Sequence, residues 1–502
     1  MKTAMRLAAA DNILLAGSDL APADHLAEHD LTLVDAVPRG HKVAARPIAT
    51  GEAVRRYGQI IGFAARPIAA GEHVHLHNLA MGSFDRDAAI GSDARPTQDI
   101  EPAATFEGIV RADGRVATRN YLGVVTTVNC SATAARAIAD KFGREIEGHP
   151  HIDGVVAITH TTGCGMAAEG EAMDVLRRTL AGYIRHPNFA GVLVLGLGCE
   201  DNQVDRLLRA EGLQESERLR AFTIQDSGGT PATVARGLAM LREMLPAAAS
   251  ARRSTVPASK LLLALQCGGS DGFSGITANP ALGAAVDLLV AHGGAAVLSE
   301  TPEIYGAEHL LTRRAARPEV ARKLLARIRW WEEYTARHGG DMDNNPSPGN
   351  KAGGLTTILE KSLGAVAKGG STNLEDVVEY AQAITARGLT FMDTPGYDPV
   401  SATGQIAGGA NMVCFTTGRG SAFGAKPAPS IKLATNTPMF LRMQDDMDID
   451  CGGIAEGLTT VQERGREIFE RVLRVASGEK SKSEALGYGD NEFAPWQLGA
   501  TM

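Results

Sequence analysis

The sequence predicts an α/β fold, in which a small β-rich N-terminal domain precedes a large α/β region with a parallel sheet. Two observations predict this fold. After residue 105, short apolar runs rich in β-branched residues alternate with segments of helical spacing, which is typical of parallel strands covered by helices. Before residue 84, short apolar strands are separated by Gly-Glu turns, and no helical period is present.

Length and composition narrow the class of protein. The chain has 502 residues, of which 44% are hydrophobic and 22% are charged, and these values exclude a largely disordered or fibrous chain. The formal net charge of -8 argues against a general nucleic-acid binder. We therefore expect a globular protein of about three units of roughly 150 residues each, with no nucleic-acid partner.

The cysteine spacing and the N-terminal residues indicate in which cellular compartment the protein is expected. Asp11 and Asn12 interrupt an N-terminal apolar run that otherwise faintly resembles a signal peptide. The sequence contains no uninterrupted apolar stretch of about 18 residues, so we expect no transmembrane helix. The six cysteines are widely spaced, unlike a secreted disulfide framework. We expect a cytoplasmic protein without a membrane partner, whose cysteines are free thiols or metal ligands.

The first unit, residues 1–83, contains a repeat. Residues 43–54 and 63–74 both carry Ala-Ala-Arg-Pro-Ile-Ala, and both continue into a Gly-Glu turn. Two copies are too few for a solenoid and favour a folded-over pair of similar hairpins. The following residues, 84–105, are polar and contain proline, which predicts a linker.

The large region, residues 106–502, contains five predicted strands. They cover residues 121–128, 154–159, 191–197, 260–265 and 295–298. Predicted helices cover residues 131–142, a segment from about 167, 202–211 and 461–476. We expect two subdomains that divide near residues 250–260. Gly-rich loops and mixed elements suggest a further region after about residue 330.

Four cysteines occupy equivalent positions in the predicted sheet. Each follows the end of a predicted strand, and they are Cys130, Cys164, Cys199 and Cys267. Because the carboxyl ends of parallel strands share one edge, four thiols could converge there on a metal. Iron or an iron–sulfur cluster suits thiolates better than magnesium does. Alternatively, the cysteines are small buried packing groups, since no short-spaced ligand motif is present.

A second cluster comes from three histidines at alternate positions. His73, His75 and His77 lie in a segment predicted as a strand, where alternate side chains share one face. Neutral imidazoles on one face can bind a divalent metal or a carboxylate-bearing ligand. The alternative is a solvated polar face of the strand.

Four Gly-rich polar loops cover residues 159–165, 266–271, 345–351 and 416–420. Their glycines let backbone amides approach an anion, and Lys351 and Arg419 add positive charge. None fits the dinucleotide G-x-G-x-x-G pattern, the Walker lysine loop or the G-x-S-x-G elbow. The loops therefore favour a small, oxygen-rich ligand and no nucleotide cofactor, although each alone fits ordinary turn chemistry.

Seven motifs in one order resemble a known family. They are GHKVA (40–44), GEHVHLHN (71–78), THTTGCG (159–165), GLGCE (196–200), QCGGSDGFSGITANPALG (266–283), NPSPGNKAGG (345–354) and FTTGRG (415–420). Over nearly its whole length the chain resembles the altronate dehydratase/galactarate dehydratase family of sugar-acid hydro-lyases, and the His-rich motif favours the altronate branch. The resemblance implies an N-terminal SAF-type (β-clip) domain, a catalytic α/β region and dependence on iron or another divalent metal.

The resemblance also implies a reaction, the loss of water from a 2,3-dihydroxy carboxylate to give a 2-keto-3-deoxy acid. Removal of the C2 proton places extra charge on the carboxylate, which a metal or hydrogen-bond donors must stabilise. Candidate acid–base residues are His160, Lys42, His41 and Lys351. Candidate substrate contacts are His73, His75, Asn350, Arg419, Ser270 and Asp271. The candidate metal ligands are Cys130, Cys164, Cys199 and Cys267, and a homo-oligomer is expected.

Other functions stay open at this point. A galactarate dehydratase fits the same motifs. A lyase like sulfolactate sulfo-lyase is disfavoured, because its two parts are usually separate chains and here they are fused. A sugar-acid binding protein is disfavoured by the many polar loops. A nucleotide-dependent oxidoreductase would suit the α/β pattern but lacks the phosphate-binding fingerprint.

Overall fold

The computed structural model describes residues 3–83 and 89–502, and it confirms the predicted α/β class. A strand-rich N-terminal domain precedes two α/β lobes, each built on its own parallel sheet. We call residues 105–257 the middle lobe and residues 258–502 the C-terminal lobe. No helix among the described residues is long and apolar enough to cross a membrane.

The N-terminal domain consists of short strands. They are β1 Ala4–Met5, β2 Ile13–Ala16, β3 His25–Leu26, β4 Leu31–Thr32, β5 Lys42–Ala44, β6 Ala53–Arg56, β7 Gln59–Ala64, β8 His73–Val74 and β9 Leu79–Ala80. All pairs are antiparallel, in the sheet orders β1-β2-β5-β8, β6-β7-β9 and β3-β4. Their small core continues into that of the C-terminal lobe.

The sequence repeat is visible in this domain as two matching strand–turn–strand units, whose strands pair with those of the other copy. Ile48 and Ile68, the same position in each copy, exchange two backbone hydrogen bonds of 2.9 Å. Each copy closes its turn with an arginine–glutamate ion pair, Arg46–Glu52 at 2.6 Å and Arg66–Glu72 at 2.5 Å. The two copies fold over each other as predicted, but the expectation that each copy is itself a hairpin is wrong, because β5 pairs with β8 and β6 pairs with β7.

The middle lobe alternates strands and helices. Its elements are β10 Thr105–Val110, β11 Val116–Ala117, β12 Tyr121–Thr126, α1 Ala132–Glu145, β13 Gly154–Ile158, α2 Glu171–Arg185, β14 Phe189–Gly196, α3 Val204–Ala210, β15 Leu219–Thr223, α4 Thr230–Ala249 and β16 Arg253–Pro257. The order β13-β12-β14-β15 is entirely parallel. Helices α1 and α4 cover one face of this sheet, and α2 covers the other.

The C-terminal lobe is larger. Its elements are β17 Leu262–Cys267, α5 Ala278–Ala291, β18 Ala295–Leu298, α6 His309–Thr312, α7 Pro318–Arg337, α8 Pro348–Ala352, α9 Ile358–Val366, β19 Leu374–Val378, β20 Gly388–Met392, α10 Asp398–Ala407, β21 Met412–Thr417, β22 Ser430–Ala434, α11 Thr437–Arg442, β23 Ile449–Asp450, α12 Val461–Ala476 and α13 Lys482–Ala485. Its sheet is parallel, in the order β19-β20-β18-β17-β21-β22-β23.

The structure corrects two sequence expectations about organisation. A further region after residue 330 does not exist as a separate unit, because β19 to β23 complete the sheet that β17 and β18 begin. The strand expected over residues 73–77 ends at Val74, and residues 75–78 turn back instead. Asn78 makes this turn by accepting a hydrogen bond from the backbone N–H of His75 at 2.9 Å.

The predicted linker partly lies outside the described residues, since residues 84–88 are not described. Residues 89–104 run along the C-terminal lobe. The backbone N–H groups of Gly91, Asp93 and Ile100 donate to Thr312, Arg313 and Ala291 at 2.8–3.0 Å. This segment is therefore tied to the lobe by regular backbone hydrogen bonds.

Candidate active site

The carboxyl end of β17 carries many of the predicted site residues. Asp271 lies in the loop after β17, fully buried, and accepts hydrogen bonds of 3.0 Å from Thr435 and Asn436. The backbone carbonyl of Ser270 accepts from the amide of Asn350 at 2.9 Å. The backbone of Arg419 donates to Gly269 at 2.9 Å. The structure thus brings these predicted residues to one loop cluster, and burial raises the pKa of Asp271.

A buried group of charged side chains surrounds Cys267, and we call it the Cys267 centre. Its members are Cys267, Glu300, Glu303, Lys361, Lys368 and Asp398. Lys368 donates to the Cys267 sulfur at 2.8 Å, and that thiol donates to Glu303 at 3.3 Å. Lys361 pairs with the other oxygen of Glu303 at 2.5 Å. Several charged groups of the centre are therefore paired with one another through hydrogen bonds and an ion pair.

Burial and mutual charge shift the pKa values of this centre. Burial, then the charge of Glu303, raises the pKa of Cys267 to about 12. Burial and the same neighbour raise the pKa of Glu300 well above its ordinary value. Burial opposes ionisation of Glu303 as well, but Lys361 and Lys368 hold its pKa at about 2. Burial followed by Glu303 raises the pKa of Asp398 to about 6.

A polar cavity of about 280 Å³ opens beside this centre. It is lined by Cys267, Glu303, Asn345, Asn350, Lys361 and Asp398, together with nearby glycines and Ser347. Helix α8 supplies Asn350 to the wall. Its first turn is fixed by a capping box between Ser347 and Asn350. The cavity is at the small end of the range for small-molecule sites and presents both cationic and acidic groups.

The N-terminal domain joins the C-terminal lobe through a buried ion triad. Lys42 donates to both oxygens of Glu360, at 2.8 and 3.0 Å, and to the Gly354 carbonyl at 2.6 Å. Arg56 pairs with the same carboxylate at 2.5 Å. Burial opposes ionisation, but these two cations hold the pKa of Glu360 at about 2. Because all three ammonium protons of Lys42 are engaged, the geometry gives it a domain-holding position.

Glycines allow this close approach. A Cβ atom on Gly272 or Gly354 would lie 2.0 or 2.2 Å from the carbonyl oxygen of Gly40, which no neighbour could accommodate. The motifs containing Gly40, Gly272 and Gly354 thus meet at one contact between the N-terminal domain and the C-terminal lobe. The sequence showed these motifs separately but gave no sign of their contact.

The predicted histidines form a cluster at the same contact. His73 donates to His41 at 3.1 Å, and His41 donates to the Ala352 carbonyl, at the end of α8, at 3.3 Å. The ring of His75 lies 4.9 Å from His41 and 5.4 Å from His73. Burial, followed by neighbouring cations and imidazoles, lowers the pKa of His73 to about 4 and of His75 to about 3. Lys351 lies on the same helix as Asn350.

The cysteines do not share one sheet edge. Cys130, Cys164 and Cys199, which we call the rim cysteines, follow strands of the four-stranded sheet and are exposed, whereas Cys267 ends β17 in the seven-stranded sheet. The expectation of one edge carrying all four is therefore wrong. The sequence analysis expected two subdomains that divide near residues 250–260, but it assigned all four strands to one sheet because strands of both sheets have the same apolar pattern.

The loops of the rim cysteines are bonded to one another. The backbone N–H of Asn129 donates to Thr162 at 3.0 Å, that of Asn202 to Gly163 at 3.1 Å, and that of Gly165 to the Asp201 side chain at 2.8 Å. Each of these bonds joins residues within three positions of a rim cysteine. The three thiols thus lie on adjoining loops at the carboxyl edge of the middle sheet.

His160 lies beneath these loops. Its Nε2 donates to the Thr126 carbonyl at 3.0 Å, and its Nδ1 accepts from the Thr162 N–H at 3.3 Å. Burial lowers its pKa to about 4. Both ring nitrogens are therefore engaged in holding the loop, and its assignment as an acid or base stays a prediction.

The sequence analysis missed most of the Cys267 centre. Glu300 lies two residues after the end of β18, so the strand-end rule used for the cysteines could have found it. Lys361 and Lys368 lie on and just after α9, where nothing in the sequence distinguishes them from surface lysines. Arg56 and Glu360 carried no signal either.

Three of these side chains form a donor group suited to a cation. Among the described residues, the Cys267 sulfur and carboxylate oxygens of Glu300 and Glu303 lie within 4.8 Å of one another, and all three residues are buried. Thiolate and carboxylate are both ligands of divalent first-row metals. The structure is thus consistent with a divalent metal at this site.

Fold and site together define the class: an α/β enzyme whose paired acidic and ammonium groups border a polar cavity next to a strand-rich domain. Family models match nearly the whole chain. They are the altronate/galactarate dehydratase SAF domain over residues 2–82, the D-galactarate dehydratase/altronate hydrolase second domain over 108–249, and the D-galactarate/altronate dehydratase C-terminal domain over 258–501. The chain belongs to this family of hydro-lyases.

Three relatives agree with this placement. The chain is 37% identical over 508 residues to an altronate dehydratase of Bacillus subtilis, with 100% of each chain covered. It is 39% identical over 459 residues to a galactarate dehydratase (L-threo-forming) of Escherichia coli, with 90% of this chain and 88% of the relative covered. It is 35% identical over 506 residues to an altronate dehydratase of Escherichia coli, with 99% of each covered. The resemblance drawn from the motifs is confirmed.

Proposed function

We propose that this protein dehydrates a six-carbon sugar acid, with altronate as the first choice, to a 2-keto-3-deoxy acid. The observation that carries the proposal is the polar cavity at the carboxyl end of β17, which Lys361, Asn345 and Asn350 line together with Glu303 and Asp398. A polyhydroxy acid needs amide and ammonium donors for its oxygens and carboxyl groups for its hydroxyl protons. Two of the three relatives described above are altronate dehydratases.

The reaction makes two demands on the site. The C2 proton must be removed while negative charge builds on the substrate carboxylate, and the C3 hydroxyl must leave with a proton. Lys361 and Asn350 lie where they can hold the carboxylate. Lys351 lies on α8 and Arg419 on the loop that bonds to Gly269, and both elements adjoin the same cavity wall. Asp398 is a carboxyl group on this wall and is our candidate for moving a proton at C2 or at the leaving hydroxyl.

We assign the histidines a covering role. His41, His73 and His75 lie against the end of α8, the helix that contributes Asn350 to the cavity. Their lowered pKa values keep them neutral at pH 7, so they can both donate and accept hydrogen bonds to hydroxyl groups. Lys42, whose ammonium is saturated by Glu360 and Gly354, acts by holding this domain in place.

We also propose that the enzyme uses a divalent metal, with iron as the first choice. A bound metal polarises a hydroxyl or carboxylate oxygen. The rim cysteines fit iron or an iron–sulfur cluster, because three exposed thiols on mutually bonded loops can ligate a cluster that leaves one iron free. Anaerobically purified protein should contain iron, and Cys→Ser changes at the rim should lower it. Full iron content in all three variants would contradict the rim assignment.

The test of function is a panel of sugar acids, assayed for 2-keto acid formation by anaerobic enzyme supplied with iron. We expect turnover of altronate above that of galactarate. Asn350→Ala should lose most activity, whereas Asn373→Ala, outside the cavity, should not. Turnover of galactarate alone would assign the other branch, and sulfite release from sulfolactate would assign a sulfo-lyase. Sugar-acid binding with no product from any substrate would leave a binding protein.

A further inference from the structure

Glu300 is the most unusual residue of the Cys267 centre. It is 1% exposed, and neither of its carboxylate oxygens has a hydrogen-bond partner of ordinary geometry. Its backbone is held at a φ of 70°, in the left-handed region that non-glycine residues rarely adopt. Thr394 holds it there by accepting from Glu300 at 3.0 Å through its side chain and from Thr301 at 3.0 Å through its carbonyl.

A buried carboxyl group without well-formed hydrogen bonds lowers the stability of a protein, and a bound ion is one common explanation for such a group. The ionised acid would bury a charge with no donor, and the protonated acid has only the neighbouring Glu303 carboxylate to donate to. Its oxygens instead point to where the Cys267 sulfur and a Glu303 oxygen also lie, with all three ligand atoms within 4.8 Å. A cation among these atoms would satisfy Glu300 directly.

The charges of the centre point the same way. Cys267, Glu300, Glu303 and Asp398 carry four negative charges when ionised, and Lys361 and Lys368 carry two positive charges. The two negative charges left over equal the charge of one divalent cation. A divalent cation bound in place of the protons of Cys267 and Glu300 would therefore leave no unbalanced charge in the protein interior.

The two lysines occupy the places of groups that orient metal ligands. Lys368 contacts the Cys267 sulfur at 2.8 Å, and Lys361 contacts Glu303 at 2.5 Å on the oxygen opposite the one facing Cys267. Side chains that hydrogen-bond to ligand atoms from outside fix their orientation and tune the metal. Each lysine leaves its ligand with a lone pair for coordination.

We propose that Cys267, Glu300 and Glu303 bind one divalent first-row transition-metal ion at the wall of the cavity, independently of the rim cysteines. A thiolate with two carboxylates suits Fe²⁺, Mn²⁺, Co²⁺ or Zn²⁺ better than Mg²⁺ or Ca²⁺, which prefer oxygen ligands only. Three protein ligands leave open positions, and Cys267 and Glu303 themselves line the cavity. This inference gives the proposed dehydratase a metal beside its substrate.

The test measures metal binding without substrate, so its outcome is separate from that of the sugar-acid panel. Metal-free full-length protein with all three rim cysteines changed to Ser is titrated with Co²⁺. We expect one equivalent to bind and to produce a thiolate-to-cobalt charge-transfer band in the near ultraviolet. Excess Mg²⁺ should not remove this band. Absence of the band in this folded variant would overturn the proposal.

Two further changes assign the ligands. Cys267→Ser in the same background should abolish the band, whereas Cys451→Ser, a buried cysteine of the same lobe, should keep it. Glu300→Gln should weaken Co²⁺ binding by at least about tenfold, because even residues that only touch a ligand change metal affinity by roughly 10- to 100-fold. Unchanged affinity in Glu300→Gln would overturn the assignment.

A variant that retains the rim cysteines guards against misfolding of the triple variant. Glu300→Gln in the otherwise natural chain changes one atom and keeps the side-chain volume. Dialysed against Co²⁺ near the dissociation constant of the parent's site, it should bind less Co²⁺ than the parent by elemental analysis, with an unchanged circular dichroism spectrum. An equal metal content in the two proteins would count against the site.

Discussion

Single residues in this protein act mainly through burial of charge. Glu360 illustrates this, because one carboxylate neutralises Lys42 and Arg56 at a contact with 0–1% side-chain exposure. Removing one partner from a buried ion group leaves the others uncompensated, which is far more destabilising than the loss of a surface pair. Substitution of a residue in this buried ion group should therefore lower the stability of the protein more than substitution in a surface ion pair.

We expect Glu360→Gln to lower the free energy of unfolding by about 3–5 kcal/mol, since two cations would stay buried without a counter-charge. Urea unfolding of the full chain measures this loss. The matched control is Glu467→Gln, which removes the half-exposed partner of Arg464. That control should cost less than about 1 kcal/mol. Similar losses for both variants would contradict the role given to Glu360.

His186 predicts a pH dependence of stability. Its Nε2 donates to Ala410 at 3.0 Å and its Nδ1 accepts from Asn188 at 3.1 Å, so only the neutral ring fits, and burial lowers its pKa to about 4. The unfolded state therefore binds more protons than the folded state below pH 6.5. The contribution of His186 is complete above that pH and is lost as the pH falls toward 4.

We expect this contribution to fall by about 2 kcal/mol between pH 7.5 and pH 5. His186→Gln retains a donor and an acceptor but cannot titrate. The variant should be less stable than the parent at pH 7.5, and the gap should narrow at pH 5. Denaturant unfolding at both pH values measures it. A gap that is constant with pH would show that His186 does not titrate in this way.

At the scale of elements, the short helix α8 positions the cavity wall. The side chain of Asn350 accepts from the Ser347 N–H at 3.0 Å, and its amide group donates to Ser270 at 2.9 Å. The Ser347 side chain in turn accepts from the Asn350 N–H at 3.4 Å. One capping box therefore links the start of a helix to the loop after β17.

We expect Ser347→Ala to lower stability by about 1 kcal/mol, the usual cost of losing an N-cap. It should also lower kcat/KM for the sugar acid by about tenfold, because small displacements of positioning groups are costly to turnover. Ser481→Ala removes the equivalent cap of α13, away from the cavity. It should lose similar stability but retain kcat/KM. Equal kinetic losses in both variants would count against a positioning role for α8.

At the scale of the whole molecule, the candidate site needs two parts of the chain. The N-terminal domain brings His41, His73 and His75 to the end of α8, and the C-terminal lobe provides the cavity. The apolar cores of these two parts are continuous, and so are those of the middle and C-terminal lobes. The relative placement of the parts is thus fixed by packing as well as by ions.

We expect the double change His73→Ala and His75→Ala to raise KM or lower kcat for the sugar acid, with little change in the circular dichroism spectrum or unfolding temperature. The imidazoles are half-buried at the domain contact, so their removal changes the cover of the site more than the core. His77→Ala, an exposed neighbour in the same turn, is the control. Unchanged kinetics in the double variant would favour the alternative, in which these histidines form a solvated polar surface without a role in the reaction.

The sequence by itself determined the fold class, the repeat in the N-terminal domain and the motifs that carry the family. These follow from local information, since strand and helix periods and Gly-Glu turns are set by neighbouring residues. The strand ending at Leu298 and the helix Val461–Ala476 match the sequence prediction at both ends. Candidate residues such as Asp271, Asn350 and Arg419 were found because Gly-rich polar segments are recognisable by composition.

Only the tertiary structure decided which residues meet. It placed Cys267 on a different sheet from the rim cysteines. The sequence did not show this, because the apolar strands of the two sheets have the same residue pattern. The tertiary structure also paired Lys42 with Glu360, 318 positions away, and buried Lys361 and Lys368 around Cys267. Because charged residues are usually exposed, a charged residue that is buried in the fold cannot be distinguished in the sequence from one at the surface. Its partner is set by the folded chain as a whole.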